Sequence, residues 1–168
     1  MNFIYLIIFS IIFAFNNFVA YAYNEEDVQY FLLNSECNQC DLSNYNFEGK
    51  YLDQAIISES NLSGSNFNNV KMANSRILSS DFTNTTFIHA DMNTTLIEDS
   101  NFINADLSQI NLVSSTIINS IFIKTNLDLA KMYGITAKLT IFDEANITNA
   151  NIQKSILSTS SFFKTNFT

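Results

Sequence analysis

Large apolar side chains recur at every fifth residue from Leu42 to Phe167, beginning Leu42, Phe47, Leu52, Ile57, Leu62 and holding phase without a break, with only Ala137 small. Two residues before each lies a second register, running from Cys40 to Thr165. That register is Ala, Ser, Thr or Cys throughout, except at Tyr45, Lys50, Val70, Ile110 and Ile135. Neither the helix period of about 3.6 residues nor the strand period of about 2 produces this pattern. It requires a chain that turns a corner every five residues, with one large and one small side chain per side facing inward. Lys50, in a small inward slot, is expected to snorkel out past the first coil.

The units Ala105-Asp106-Leu107-Ser108, Ala145-Asn146-Ile147-Thr148-Asn149, Ala150-Asn151-Ile152 and Ser60-Asn61-Leu62-Ser63-Gly64 resemble the A-(D/N)-L-x-x unit of the pentapeptide-repeat family. The resemblance extends over residues 40–168. It implies an all-β fold, a right-handed quadrilateral parallel β-helix with four pentapeptides to each coil. The side chains support a four-unit coil independently, because positions four units apart sort by type. One column reads Leu42, Leu62, Phe82, Phe102, Phe122, Phe142, Phe162, and the next Phe47, Phe67, Phe87, Leu107, Leu127, Ile147, Phe167. A third holds Leu52, Met72, Met92, Leu112, Met132 and Ile152, and the fourth Ile57, Ile77, Ile97, Ile117, Ala137 and Leu157. Like stacks on like, as in other β ladders. About six coils at roughly 4.8 Å each make a rod about 30 Å tall. Inward Ser and Thr hydroxyls must then reach backbone carbonyls, since an unpaired buried hydroxyl costs about 1–3 kcal/mol. Gly occurs only at Gly49, Gly64 and Gly134 and Pro is absent, so Asn, Asp and Ser are expected to make the corners.

Ahead of the coils, residues 24–34 read as a short helix. Asn24 is a suitable N-cap, three acids occupy the first turn, and Val28, Phe31 and Leu32 form an apolar stripe. This segment, within residues 23–39, is expected to lid the first coil, as solenoid ends require. Residues 1–22 have the form of a secretory signal peptide. Phe3 to Phe15 is an uncharged run too short to span a bilayer comfortably, and Ala20-Tyr21-Ala22 offers a cleavage site before Tyr23. The run lacks the usual Lys or Arg before it, which leaves an uncleaved anchor as the alternative. Cleavage gives a periplasmic or secreted protein with no stable membrane span.

Lys and Arg number 8 against 16 Asp and Glu, a net charge of −8, and no charged side chain precedes Tyr23. That acidity argues against a nucleic-acid partner, which needs clustered cations. Candidate chemistry is sparse. Cys37 and Cys40 form C-x-x-C between helix and solenoid, and in an exported chain two cysteines suit a disulfide pinning the cap to the coils. A thiol–disulfide role would need a helix N-terminus and a βαβ setting, and a metal site would need two further ligands while the single His, His89, lies far away. His89 and the carboxylates Asp81, Asp91, Glu98, Asp99 and Asp106 fall at outward positions, with no cleft in which to do acid–base work. No catalytic, metal or cofactor-binding residue is assigned, and no cofactor is expected. The series Asn46, Asn66, Thr86, Asp106, Asn126, Asn146, Asn166 reads as a structural amide ladder, and the Asn-x-Ser/Thr sequons are a by-product of the repeat.

The outer surface carries one anomaly. Ile56, Leu78, Leu96, Ile118, Leu139 and Ile156 flank the isoleucine-rich column, and Ile103, Ile121, Ile123, Ile141 and Phe163 lie on the adjacent side. Such residues either mark an interaction face or are good strand formers at a surface. The first functional expectation is therefore a non-enzymatic exported scaffold binding an unidentified protein, or itself as a tail-to-tail homodimer through an open C-terminal coil at Phe163 and Phe167. The family resemblance implies a second, since acidic members imitate DNA and protect gyrase, but that role is cytoplasmic. A periplasmic thiol–disulfide protein using Cys37 and Cys40 is the third.

Overall fold

The computed structural model describes residues 23–168, so the expected signal peptide lies outside the described residues. Among the described residues one helix, α1 (Glu25–Asn34), precedes six three-residue strands: β1 (Glu36–Asn38), β2 (Ile56–Ser58), β3 (Arg76–Leu78), β4 (Leu96–Glu98), β5 (Thr116–Ile118) and β6 (Thr136–Lys138). The strands stack in sequence order as one parallel sheet, each pairing with its successor one coil further along, as in Cys37 with Ile57 and Ile57 with Ile77. Parallel bridges at the same spacing build the other three sides, for example Asp41–Asn61, Asn46–Asn66 and Tyr51–Lys71. The molecule is the expected four-sided parallel β-helix.

The five-residue register is the core. The large positions from Leu42 to Ile147 are buried, and the Phe column stacks face to face, with Phe82–Phe102 and Phe102–Phe122 centroids 4.8 Å apart and nearly parallel. Ile135 and Ala137 exchange roles: the large residue fills the small slot and the small residue the large one, and both are buried. Lys50 is exposed, having left its slot at the first coil.

The solenoid starts earlier than residue 40. Cys37 lies in β1 in the central position beneath which Ile57 stacks, and it is buried. The repeat is thus one unit longer than the apolar pattern indicated, because Cys in the large slot escapes a search for large apolar residues.

Two corner designs account for the backbone hydrogen bonds. On the sides centred on Leu42 and Phe47 the central carbonyl accepts from the N–H three residues on, as in Phe47 from Lys50 (3.0 Å) and Phe102 from Ala105 (3.1 Å); the side centred on Leu52 mixes the two designs, Ser115 N donating to Leu112 O (3.1 Å) but Thr95 N to Ser115 Oγ (3.1 Å). On the fourth side that N–H donates instead to a hydroxyl one coil below: Ser60 to Ser80 Oγ and Ser80 to Ser100 Oγ, each 3.1 Å. Each hydroxyl in turn donates to a carbonyl two residues back, Ser80 Oγ to Leu78 and Ser100 Oγ to Glu98, both 2.8 Å. The column Cys40, Ser60, Ser80, Ser100, Ser120 is therefore linked step by step through hydroxyls, while Thr140, next in line, turns its Oγ1 to the carbonyls of Ile117 and Lys138. Among the described residues no buried side-chain N or O lacks a partner.

The corner residues include the expected Asn, Asp and Ser, as at Asn44, Ser79 and Asp99, but are not confined to them. The second residue after each centre is left-handed, and besides Asn and Gly this includes Gln54, His89, Thr94, Lys124, Leu129 and Leu139. Each tolerates the strain because its N–H is held by the next coil, as Leu129 is by Thr148 O at 2.9 Å. Asn and Asp act one residue before the centre, where the side-chain oxygen accepts the N–H two residues on, as in Asp106 from Ser108 at 3.0 Å.

Helix α1 closes the top. Asn24 Oδ1 accepts from Glu26 N at 2.9 Å, Val28 and Phe31 are buried, and Phe31 meets Phe47 edge-on at 5.7 Å. The third acid of the first turn has a task beyond the helix: Asp27 Oδ2 accepts from Asp41 N (2.8 Å) while Asn24 N donates to Asp41 O (2.8 Å). The cap thereby satisfies the free backbone edge of the first coil at Asp41.

Candidate functional site

The outward apolar residues fall on two adjoining sides, and their exposure grows toward the C-terminal coils. Leu139, Ile156 and Phe163 are 59%, 57% and 63% exposed, against 38% for Ile56, and Phe167, an inward-column residue of the last coil, is 48% exposed. Leu78, Leu96, Ile118, Ile103, Ile121, Ile123 and Ile141 are half-buried, since neighbours above and below in the stack cover their flanks. Ile121 bridges to Ile141, and Ile103 joins Ile123 through the Asn104 N–H to Ile123 O bond (3.0 Å), so the four make a contiguous block on one side. Asp143 interrupts that column after Ile123, and Phe163 lies one coil beyond it, its N–H donating to Asp143 Oδ1 (2.9 Å) and its ring 5.1 Å from Lys164 Nζ. On the fourth side the apolar residues are interrupted by Arg76, Glu98 and Lys138. Tyr30, Leu33, Tyr51 and Leu129 are also well exposed, and the sequence reading passed over them. Leu129 and Leu139 sit at left-handed corners, which turn their side chains outward.

Cys37 and Cys40 form a disulfide with Cα atoms 5.8 Å apart. Its place differs from the expected one. It does not tie the helix to the coils, because both residues already belong to the first coil. It closes the corner that the hydroxyl ladder closes in the coils below, and both cysteines are buried.

Several outward carboxylates are engaged in the stack. Asp91 accepts from Asn111 Nδ2 (2.8 Å) and Asp106 from Asn126 Nδ2 (3.0 Å), while Asp99 accepts from Asn119. The amide ladder continues from Asn126 to Asn146 (3.1 Å) and Asn146 to Asn166 (3.4 Å). Asp128 accepts from Thr148 Oγ1 (2.7 Å) and Asn149 Nδ2 (3.1 Å), and these donors hold its carboxyl below the ordinary 3.8. His89 is an exposed corner residue with a φ of 59°. Among the described residues no cluster of His, Cys, Asp and Glu is arranged to hold a metal ion, and no helix is long and apolar enough to cross a membrane.

Charge is distributed unevenly. Residues 23–60 carry eight acids and one base, Lys50, a net of −7, while residues 61–168 carry eight acids and seven bases, a net of −1. The helix and first coil thus hold nearly all of the excess, and the remaining coils are close to neutral.

The family model described as Pentapeptide repeats matches this chain in eight copies, over residues 35–74, 61–99 and 97–134. Among solved structures, a pentapeptide repeat protein of the Arabidopsis thaliana thylakoid lumen is 23% identical, with 70% of this chain and 65% of that chain covered and a TM-score of 0.47. The pentapeptide repeat protein Rfr23 of the cyanobacterium Cyanothece 51142 is 16% identical, with 85% and 98% covered and a TM-score of 0.36. Full-length QnrB1, a plasmid-mediated fluoroquinolone resistance protein, is 12% identical over 79% and 81%, with a TM-score of 0.31. No curated protein matches the chain by sequence.

Proposed function

The chain belongs to the pentapeptide-repeat family, and from that premise we propose that it is a non-enzymatic, exported β-helical scaffold that binds another protein through the outer apolar residues of its later coils. The observation that carries this reading is the block of Ile103, Ile121, Ile123 and Ile141, with the exposed Phe163 on the same side beyond Asp143. Apolar side chains stacked in register on a rigid, flat wall supply buried area at little cost in conformational entropy, as binding surfaces require. Export rests on the sequence of residues 1–22, which predicts a mature N-terminus at Tyr23 in the extracytoplasmic fraction.

A second copy is a further partner for the last coil, where Ile152, Leu157 and Phe162 are half-buried and Phe167 is exposed. Two such ends related by a two-fold axis would cover one another without propagating into fibres. Mimicry of DNA is less well supported, because the coils beyond residue 60 are nearly neutral.

Affinity capture from the extracytoplasmic fraction tests the proposal. The wild type should retain a protein that an Ile121→Asp, Ile141→Asp double variant of unchanged melting temperature does not. Retention of the same protein by both would remove this face from the account.

A further inference from the structure

At the opposite end of the rod, a cleft of about 330 Å³ lies between α1 and the first coil, lined among others by Asp27 and Tyr30 from the helix and by Glu36, Asn38, Ile56 and Ser58 from β1 and β2. One wall of it is a sheet edge. β1 pairs with β2 on one side and is the terminal strand of the sheet. The hydrogen bonds fix which backbone groups face which way. Ile56 N donates to Ser35 O (2.9 Å) and Gln39 N to Ser58 O (3.0 Å), so the odd-numbered residues of this segment address β2. By the alternation of a strand, the N–H and C=O groups of Glu36 and Asn38 face the other way, along the free edge. Helix α1 satisfies the first coil's edge at Asp41, one side further on, and leaves that of β1 uncovered.

We propose that this edge is a docking site for an extended, basic peptide segment of a partner protein, which adds to the sheet as a strand beside β1. Three features specify that occupant. The backbone groups of Glu36 and Asn38 would pair with an extended chain, as in other cases of strand addition. The carboxylates of Asp27 and Glu36 flank the cleft within the end of the molecule that carries −7 of the −8 net charge, which selects Lys or Arg side chains. Tyr30 and Ile56 offer an aromatic face and an aliphatic surface for the stem and head of such a side chain. Alternating basic and apolar residues fit this wall, whereas an acidic segment is repelled. The site is separate from the later-coil face, so either can fail without the other.

A fluorescent, end-blocked peptide of alternating Arg and Val, with a Glu–Val peptide as control, tests the assignment by anisotropy on the purified protein. The Arg–Val peptide should bind and the control should not. Glu36→Lys should weaken binding at least about tenfold, the loss of a charge-assisted contact. Glu48→Lys makes the same charge change on another side of the first coil and should have an effect of no more than about twofold. Glu36→Gln, which leaves the strand neutral, should fall between. Hydrogen exchange should show the amides of Glu36 and Asn38 protected by the peptide. Equal losses in the Glu36 and Glu48 variants, absence of protection in β1, or no binding by the wild type would each overturn the proposal.

Discussion

Replacing Ser100 by Ala separates a true hydroxyl ladder from a column that merely prefers small residues. Ser100 Oγ accepts from the buried Ser80 N at 3.1 Å and donates to Glu98 O at 2.8 Å. Removing it leaves Ser80 N without its turn partner, because at this corner the N–H makes no bond to the Ile77 carbonyl. An orphaned buried N–H together with a lost bond costs about 1–3 kcal/mol. For a chain of this size that corresponds to a drop in Tm of roughly 3–9 °C. Thr125→Ala is the matched control. Thr125 Oγ1 donates to Phe122 O at 2.7 Å, but that carbonyl also receives the Thr125 N–H, so both backbone groups keep a partner when the hydroxyl goes. Its cost should stay below about 1 kcal/mol. Thermal unfolding followed by circular dichroism gives both values. Equal losses in the two variants, or no loss in Ser100→Ala, would refute the ladder as the closure of that corner.

Further outcomes follow from other parts of the rod. Ile135→Ala should cost about 2–5 kcal/mol through its cavity and Ala137→Ile about 1–3 kcal/mol through overpacking, while the double variant should recover most of both losses in a denaturant titration. Leu129→Asn should stabilise the protein by up to about 1 kcal/mol, because Asn adopts the left-handed conformation that Leu129 holds under strain. The Asp128 carboxyl titrates below 3.8 in the folded state, so its contribution is full above that value and disappears as pH falls through the lower folded value; Asp128→Asn should therefore lose stability relative to wild type at neutral pH and converge with it in acid melts. Sedimentation of the mature protein should show association that is abolished by Phe163→Lys with Phe167→Lys, and a wild type that stays monomeric at micromolar concentration would exclude the tail-to-tail dimer.

The period of five was sufficient to reveal the four-sided coil and its sorted columns, because every inward position is tested one coil later by a neighbour of the same kind. Helix α1 was legible for a local reason, its N-cap and acidic first turn. The start of the solenoid was not, because Cys37 fills a large slot with a small thiol. Nor was the division between Ser100 and Ala105, which share a small inward register but face different corners; only the hydrogen-bond geometry distinguishes a required hydroxyl from a tolerated methyl. The corners misled for a similar reason. Bonds from the next coil hold residues such as Leu129 and His89 left-handed against their own preference. The cleft beside β1 lay beyond reach of any local pattern, since α1, β1 and β2 meet there only in three dimensions.

The central claim, that the later coils present a protein-binding wall, is tested most directly by site-specific photocrosslinking in the native host. A photoreactive phenylalanine analogue at Ile123 lies within the block of stacked isoleucines, and one at Val113 occupies a half-buried outward position on the third side, one coil before Tyr133. The account predicts a discrete crosslinked protein from Ile123 and none from Val113. The same product from both positions, or a product from Val113 alone, would contradict it.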